Sequence, residues 1–387
     1  MHTQANAKYE FIDALRGIAF LMVLISHGQR FVEIHSIMGA SHPLNYWVHA
    51  YAEQGARGVQ LFFVISALTL CLSAYHRKTE INAVCAFFIR RAFRILPMYY
   101  LAFFYFAIFP ILTHRTNGVG INFKDALRTV TFTTGWAPSW TDVLVPGGWS
   151  VSVEMAFYCI FPLLIIFVST FTRAILAFLL SAAFGLACNV YAYGGLATMP
   201  IDVADWFHYA WLPGQLPIFM LGFVLYFCIF GEKALVLSKL LHRRYMLLAL
   251  AILCAGFFMT LPFIEQGLVP RHWLYGILFF GVVIVLKNVG PNLLTCGPIR
   301  FIGQCSFSSY LIHFAVLPYV GRALNKIHLN DIDADYYFTI LVMVTLVVTV
   351  AVSAATYTLV EIPGQKIGKK LISWVRQRRS SRLLATA

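Results

Sequence analysis

Charge is what this sequence has least of. Asp, Glu, Lys and Arg make up 12% of its 387 residues, and just 16 of its side chains are acidic. A water-soluble domain carries about 25% charged residues. With 60% hydrophobic residues and a mean hydropathy of +0.74, the chain is excluded from that class. The alternating segments that mark an outer-membrane barrel are missing too. So is any charge-rich or Ser/Gly-rich linker, and 1–387 reads as a single integral-membrane domain ending in a basic cytoplasmic tail at 364–387. The eight cysteines contain no C-x-x-C pair. They lie mostly inside apolar runs, which points to free buried thiols rather than a disulfide framework. A cleaved signal peptide is not expected, because residues 1–10 hold little positive charge and no small-residue cleavage site follows Leu24.

What the sequence does have is a succession of apolar runs long enough to cross ~30 Å of hydrocarbon. They fall at 11–29, 57–75, 84–112, 149–169, 173–193, 206–230, 245–264, 272–288, 299–320 and 336–360. The fold class is therefore an all-α polytopic membrane protein with about ten transmembrane helices. The net charge of +13 does not point to nucleic acid, since no fold or aromatic platform for it is present. Basic residues gather in alternate connections (Arg77 and Lys78; Arg90, Arg91 and Arg94; Lys233, Lys239, Arg243 and Arg244) and in the tail. Asp331, Asp333 and Asp335 share a connection on the opposite side. The positive-inside bias then predicts that both termini are cytoplasmic, with the basic tail against anionic lipid heads.

The longest outer connections are 30–56 and 113–148. The second is rich in Thr, Gly, Trp and Pro, a composition that suits a lid, a binding surface or an interfacial aromatic belt. His35, His42 and His49 recur at intervals of seven, which is no recognised ligand spacing, and no metal is expected.

Ionisable residues inside apolar runs are costly and mark function or a water-filled path. The first run holds three: Asp13, Arg16 and His27. Eleven steps of ~100° bring His27 back to the Arg16 face, ~16 Å along the axis, and Asp13 lies one turn before Arg16 on the same face. The third run opens with Arg90, Arg91 and Arg94 at helical i,i+3 and i,i+4 spacings. Guanidinium forks match phosphate geometry. The cluster suits a polyphosphorylated cytosolic ligand, or a positive-inside stop signal touching lipid phosphates. Ser150 and Glu154, i,i+4 at the outer end of the fourth run, enter the membrane from the side opposite to Arg16. Their depth matches that of His27, so His27 and Glu154 are candidates for a general-base pair. The ninth run adds Ser308, Tyr310 and His313, which suit either catalysis or hydrogen bonding between helices.

Taken in order, these blocks resemble the membrane acyltransferase-3 family of acyl-CoA-dependent O-acyltransferases. The resemblance rests on Asp13-Ala-Leu-Arg16-Gly with His27, Gly58-Val-Gln-Leu-Phe-Phe-Val-Ile-Ser66, Arg91-x-x-Arg94 with Pro97, Trp149-Ser150-x-Ser-x-Glu154-x-x-Phe157-Tyr158, Ser308-x-Tyr310-Leu-Ile-His313, and Leu359-Val-Glu361-Ile-Pro363. Two positions depart from the family's usual pattern, with Ser66-Ala67 in place of Ser-Gly and Glu154-Met155 in place of a double acid.

The resemblance implies ten helices, a cytosolic acyl-CoA donor and acylation of a hydroxyl at the outer face. It implies that Arg16, Arg91 and Arg94 hold the coenzyme A phosphates, and Arg90 of the same cluster is expected to join them. His27 would act as base or transient acyl carrier, with Glu154 as its polar partner and Asp13, Ser150, Tyr310 and His313 in support. No cofactor is held permanently; acetyl-CoA or another acyl-CoA is a substrate. The expected partners are that donor, membrane lipids, a polysaccharide, lipopolysaccharide or glycolipid acceptor, and glycan-assembly proteins. The expected location is the bacterial inner membrane. No hydrolase-like extension is expected after the last run, so the chain would acylate the final acceptor or pass the acyl group on. Other readings are an acyltransferase for a small secreted molecule, and a transporter or flippase for a lipid-linked or anionic substrate. The absence of an inverted repeat weighs against transport.

Overall fold

The computed structural model describes residues 2–36, 44–77, 80, 82–112, 121–140, 144–195, 201–231, 233, 234, 236, 239, 244–264, 269–289, 293–329 and 332–386. Among these the chain is helical throughout, with no strands. The first helix, α1 (His2–Ser36), outruns the expected first span at both ends. The connection after it is not all loop, because α2 (Tyr46–Glu53) forms there, capped by the Asn45 side chain accepting from the Trp47 N–H at 3.0 Å. A short tight turn over Gln54–Arg57 leads into α3 (Gly58–His76). Next comes α4 (Ala83–Phe103), which carries Pro97 within it and runs through a wider turn, Phe104–Ile108.

The second long connection also contains a helix, α5 (Phe123–Val130), and is followed by α6 (Gly148–Phe167). Gly147 sits at φ +74°, the left-handed conformation that a side chain disfavours, and this turns the chain sharply into α6. The remaining helices are α7 (Phe171–Gly195), α8 (Ile201–Ala210), α9 (Leu212–Ile229), α10 (Arg244–Thr260), α11 (Arg271–Val289), α12 (Gly297–Gln304), α13 (Ser306–Lys326), α14 (Ala334–Thr356) and α15 (Ile362–Thr386).

Among the described residues, seven helical stretches are long and apolar enough to cross a membrane: Glu10–Ile34, Tyr46–His76, Gly148–Phe167, Phe171–Tyr191, Val203–Ile229, Met246–Phe263 and Ala334–Arg378. They mark an integral membrane protein. The other three expected spans fall on α4, α11 and α13, which form as helices but are not among these seven. Basic residues in α4 and polar ones in α13 lower their apolarity. The faces of α7 and α10 explain why the chain needs lipid around it. Leu179, Leu180 and Phe184 on one, and Leu248, Ile252 and Leu253 on the other, are exposed, as a helix turned towards hydrocarbon requires.

The helices approach closely at small residues. A Cβ on Gly303 would meet the Asp13 carbonyl oxygen at 1.7 Å, and one on Gly17 would meet the Ile299 oxygen at 2.3 Å. The α1–α12 crossing therefore brings backbone against backbone, and it fixes the segment that carries Asp13 and Arg16. A similar contact explains one departure from the family pattern. The Ala67 methyl faces Gly222 of α9, where a second Cβ would stand 2.6 Å away. The glycine absent at 67 is thus matched by one across the interface.

Candidate active site

Two cavities share Val59 and Tyr310 in their lining. The first is small, about 80 Å³, and is lined by Arg16 from α1, Ser66 from α3, Arg91 and Arg94 from α4, Ser150, Glu154 and Tyr158 from α6, and Tyr310 from α13. Arg91 and Arg94 share the α4 face that turns towards α6, as their spacing predicts. The Arg91 guanidinium stands 5.7 Å from the Tyr158 ring centroid. Arg16 is held by Asp13 at 3.7 Å and donates to Thr69 Oγ1 at 3.5 Å. Asp13 also accepts from Gln304 Nε2 at 3.5 Å.

Glu154 belongs to this arginine cavity. Its Oε1 accepts from the Ser66 hydroxyl and, at 2.5 Å, from the Tyr158 hydroxyl. The expected contact with His27 is not among the contacts the structure forms. Matched depth proved insufficient as a guide, because Glu154 lines the cavity at the Arg16 end of α1, whereas His27, eleven residues further along α1, packs against His313 and Phe314. Arg90 departs from expectation in the same way. It does not line the cavity; one position away on the helix, it turns outward and binds Glu80 at 2.8 Å. Arg376 of α15 binds the same carboxylate.

The second cavity is about 620 Å³ and contains His27, Arg30, Arg57, Trp149, Trp206, Tyr209, Arg271, His272 and Tyr310 in its lining. His27 packs between two side chains of α13, its ring centroid 5.3 Å from His313 and 4.6 Å from Phe314. His313 is fully buried, and its Nδ1 lies 3.2 Å from the Ser309 carbonyl, to which it donates. That bond fixes the tautomer with a bare Nε2, and Nε2 has no hydrogen-bond partner among the described residues.

Tyr310 and Val59 line both cavities. The Tyr310 hydroxyl lies 2.9 Å from Ser150 Oγ and donates to the Gly147 carbonyl at 3.1 Å. Ser150 Oγ also stands 2.9 Å from the Gly147 oxygen, so its single proton goes either there or to the Tyr310 oxygen. The structure thus gathers all the expected site residues except Arg90 round two adjoining cavities, with the guanidiniums in one and the histidines beside the other.

Several residues of this centre were given no role from the sequence, Glu361 among them although it stands in the closing block of the resemblance. Glu361 is buried in the wider turn Tyr357–Glu361 between α14 and α15, accepting from the Ser308 N–H at 3.1 Å and from the Ser308 hydroxyl. A lone acid at the end of the last apolar run was the signal. Arg57, Trp206, Tyr209, Arg271 and His272 were available as a second signal, polar and aromatic residues at the ends of apolar runs. As to the histidines at intervals of seven, His49 pairs with Glu33 at 2.7 Å, His42 lies outside the described residues, and the His35 side chain is likewise undescribed.

Residues 9–358 match the acyltransferase domain family. Among curated relatives, the chain is 23% identical to the O-acetyltransferase OatA of Staphylococcus aureus, over 95% of its own length and 59% of the relative's. It is 22% identical to the peptidoglycan O-acetyltransferase OatA of Listeria monocytogenes, over 87% of its length and 56% of the relative's. The chain thus spans somewhat over half the length of the curated relatives it matches. No solved structure matches it.

Proposed function

The chain belongs to the acyltransferase domain family, and on that footing we propose that it is a membrane O-acyltransferase, acetyl-CoA being the preferred donor. It takes the acyl group from acyl-CoA at the cytosolic side and delivers it to a hydroxyl of an envelope glycan or glycolipid at the outer face of a bacterial inner membrane. The observation that carries this reading is the shared wall. An arginine cavity and a histidine cavity adjoin across Tyr310 and Val59, so a donor bound on one side needs to pass only a thioester to reach the other.

Arg16, Arg91 and Arg94 would hold the phosphates through forked hydrogen bonds. At about 80 Å³ their cavity is well below the ~300–1,000 Å³ of a ligand pocket. Donor binding therefore has to displace side chains, and Glu154 is placed to exchange its tyrosine and serine partners as it does so. The thioester then meets the acceptor hydroxyl beside His27. Neutral His27 takes the hydroxyl proton while the oxygen forms its bond to the acyl carbon. The C–S bond breaks, and the leaving thiolate recovers the proton from His27. Positioned proton transfer of this kind is worth ~10²–10⁴-fold. Transfer through an acyl-His27 intermediate uses the same geometry in two steps.

The test is acetyl transfer from labelled acetyl-CoA in membranes holding the wild type or His27→Ala, with and without an envelope-glycan acceptor. Acceptor-dependent transfer that disappears in His27→Ala supports the reading. Equal transfer by both proteins removes His27 from the chemistry.

A further inference from the structure

The histidine cavity has a chemical character that a general hydroxyl acceptor does not require. One wall is aromatic. Trp149, Trp206 and Tyr209 meet with ring centroids 5.0 to 5.8 Å apart. Trp206 is 38% exposed, so its ring offers an open apolar face. Such a wall suits the flat, hydrogen-rich face of a sugar ring.

The other wall is cationic, with Arg57, Arg271 and Arg30 in its lining. Arg57 sits in the tight turn before α3 with its guanidinium 5.0 Å from the Tyr209 ring centroid. Its Nε is buried without a hydrogen-bond partner, and it forms no ion pair among the described residues. Arg271 donates from one terminal nitrogen to the Ile264 carbonyl at 2.7 Å, while its Nε is likewise buried and unpartnered. Arg30 adds a third cation to the lining. The acids there are Glu53, which is exposed, and Asp205. Among the described residues, no ion pair of Arg57 or Arg271 is formed. A partly buried guanidinium without a carboxylate partner favours an oxyanion arriving from outside, since the fork matches carboxylate and phosphate alike.

We infer that the His27 cavity takes a saccharide bearing an oxyanion, its ring on the Trp149–Trp206–Tyr209 wall and its carboxylate or phosphate on Arg57 and Arg271. Resting on the acyltransferase reading, this makes the acceptor an acidic sugar and presents one of its hydroxyls to His27. Arg57 then selects the acceptor and takes no part in moving protons.

Binding tests this independently of turnover. The full chain in lipid nanodiscs is titrated with three oligosaccharides of the same length and linkage: a neutral glucan, its C6-carboxylated form and its C6-phosphorylated form. The readout is calorimetry, checked by tryptophan fluorescence. In the wild type at least one acidic form binds at least tenfold more tightly than the neutral one, and the tighter of the two identifies the oxyanion. Arg57→Gln and Arg271→Gln each remove part of the acidic preference, and the double variant brings the acidic ligand down to the neutral affinity; retained binding of the neutral glucan shows that the variants are folded. Arg57→Lys retains part of the preference, and Trp206→Ala weakens all three ligands alike. Equal binding of neutral and acidic ligands by the wild type overturns the inference, as does no binding of any, or a preference that survives undiminished in the double variant of Arg57→Gln and Arg271→Gln. A carboxylated or phosphorylated saccharide that binds as described but accepts no acetyl group leaves this inference standing and removes the acyltransferase reading.

Discussion

The Tyr310 hydroxyl stands 2.9 Å from Ser150 Oγ, and this contact pins the ring where the arginine and histidine cavities adjoin. Tyr310→Phe keeps the ring and loses the hydrogen bonds, which are typically worth ~1 kcal/mol each. It should lower thermal stability slightly and preserve coupling between donor use and transfer. Tyr310→Ala opens the wall. Its thiol release from acetyl-CoA should exceed acetyl transfer several-fold, measured by following both products in one reaction.

The arginines divide into two groups that kinetics can separate. Arg16→Gln, Arg91→Gln and Arg94→Gln each remove a fork from the donor cavity and should raise KM for acetyl-CoA by roughly tenfold, about 1.4 kcal/mol. Arg90→Gln should leave that KM within about twofold, because Arg90 is committed to Glu80. Initial rates against acetyl-CoA concentration decide the point.

Glu154 compensates buried guanidiniums, so Glu154→Gln should lose stability as well as rate. Breaking one partner out of such a charged network costs on the order of 3 kcal/mol. The expected result is a lower unfolding temperature in nanodiscs, with Arg16 and Arg91 then facing each other without the carboxylate. An unfolding temperature equal to that of the wild type would show that Asp13 and Glu361 suffice.

The helix crossing beneath Arg16 makes a structural prediction. Gly303→Ala places a methyl carbon 1.7 Å from the Asp13 carbonyl oxygen unless α12 moves. Overpacking of this kind typically costs ~1–3 kcal/mol. Unfolding temperature should fall, and KM for acetyl-CoA should rise as Arg16 is displaced. Gly256→Ala, which meets nothing within 4 Å, is the control.

Glu80 gives a pH dependence. Burial would raise its carboxyl, but the hydrogen bonds and charges of Arg90 and Arg376 hold it below the usual range. A carboxylate lowered in the folded state contributes stability above its unfolded pKa of about 4.3 and loses it as pH falls through the folded value. Wild-type unfolding temperature should therefore drop below about pH 4.3 more steeply than that of Glu80→Gln. Parallel curves for the two proteins would dissociate Glu80 from acid stability.

How much of this was legible in the sequence follows from the physics of each signal. Arg16 and His27 share a helix, so spacing alone gave their common face. Arg91 and Arg94 were legible for the same reason, whereas Arg90 was misplaced because adjacent residues on a helix point ~100° apart and the acid that captures it lies ten positions back. The partner of His27 was not legible. It proved to be α13, with His313 and Phe314, rather than Glu154, since depth along a membrane normal does not say which neighbour a helix face meets. The helices of the long connections went unseen because α2 and α5 are short and lie outside the apolar runs. The cationic wall of the histidine cavity joins Arg57 and Arg271, more than two hundred residues apart, and only packing brings them together.

The proposed transfer requires donor and acceptor to reach the two cavities from opposite sides of one membrane. Inside-out vesicles carrying the protein should be loaded with an acidic oligosaccharide in the lumen and given labelled acetyl-CoA outside. The account predicts labelled saccharide inside the lumen, absent with His27→Ala and absent when acetyl-CoA is trapped with the acceptor instead. Label found solely when donor and acceptor share one side would contradict it.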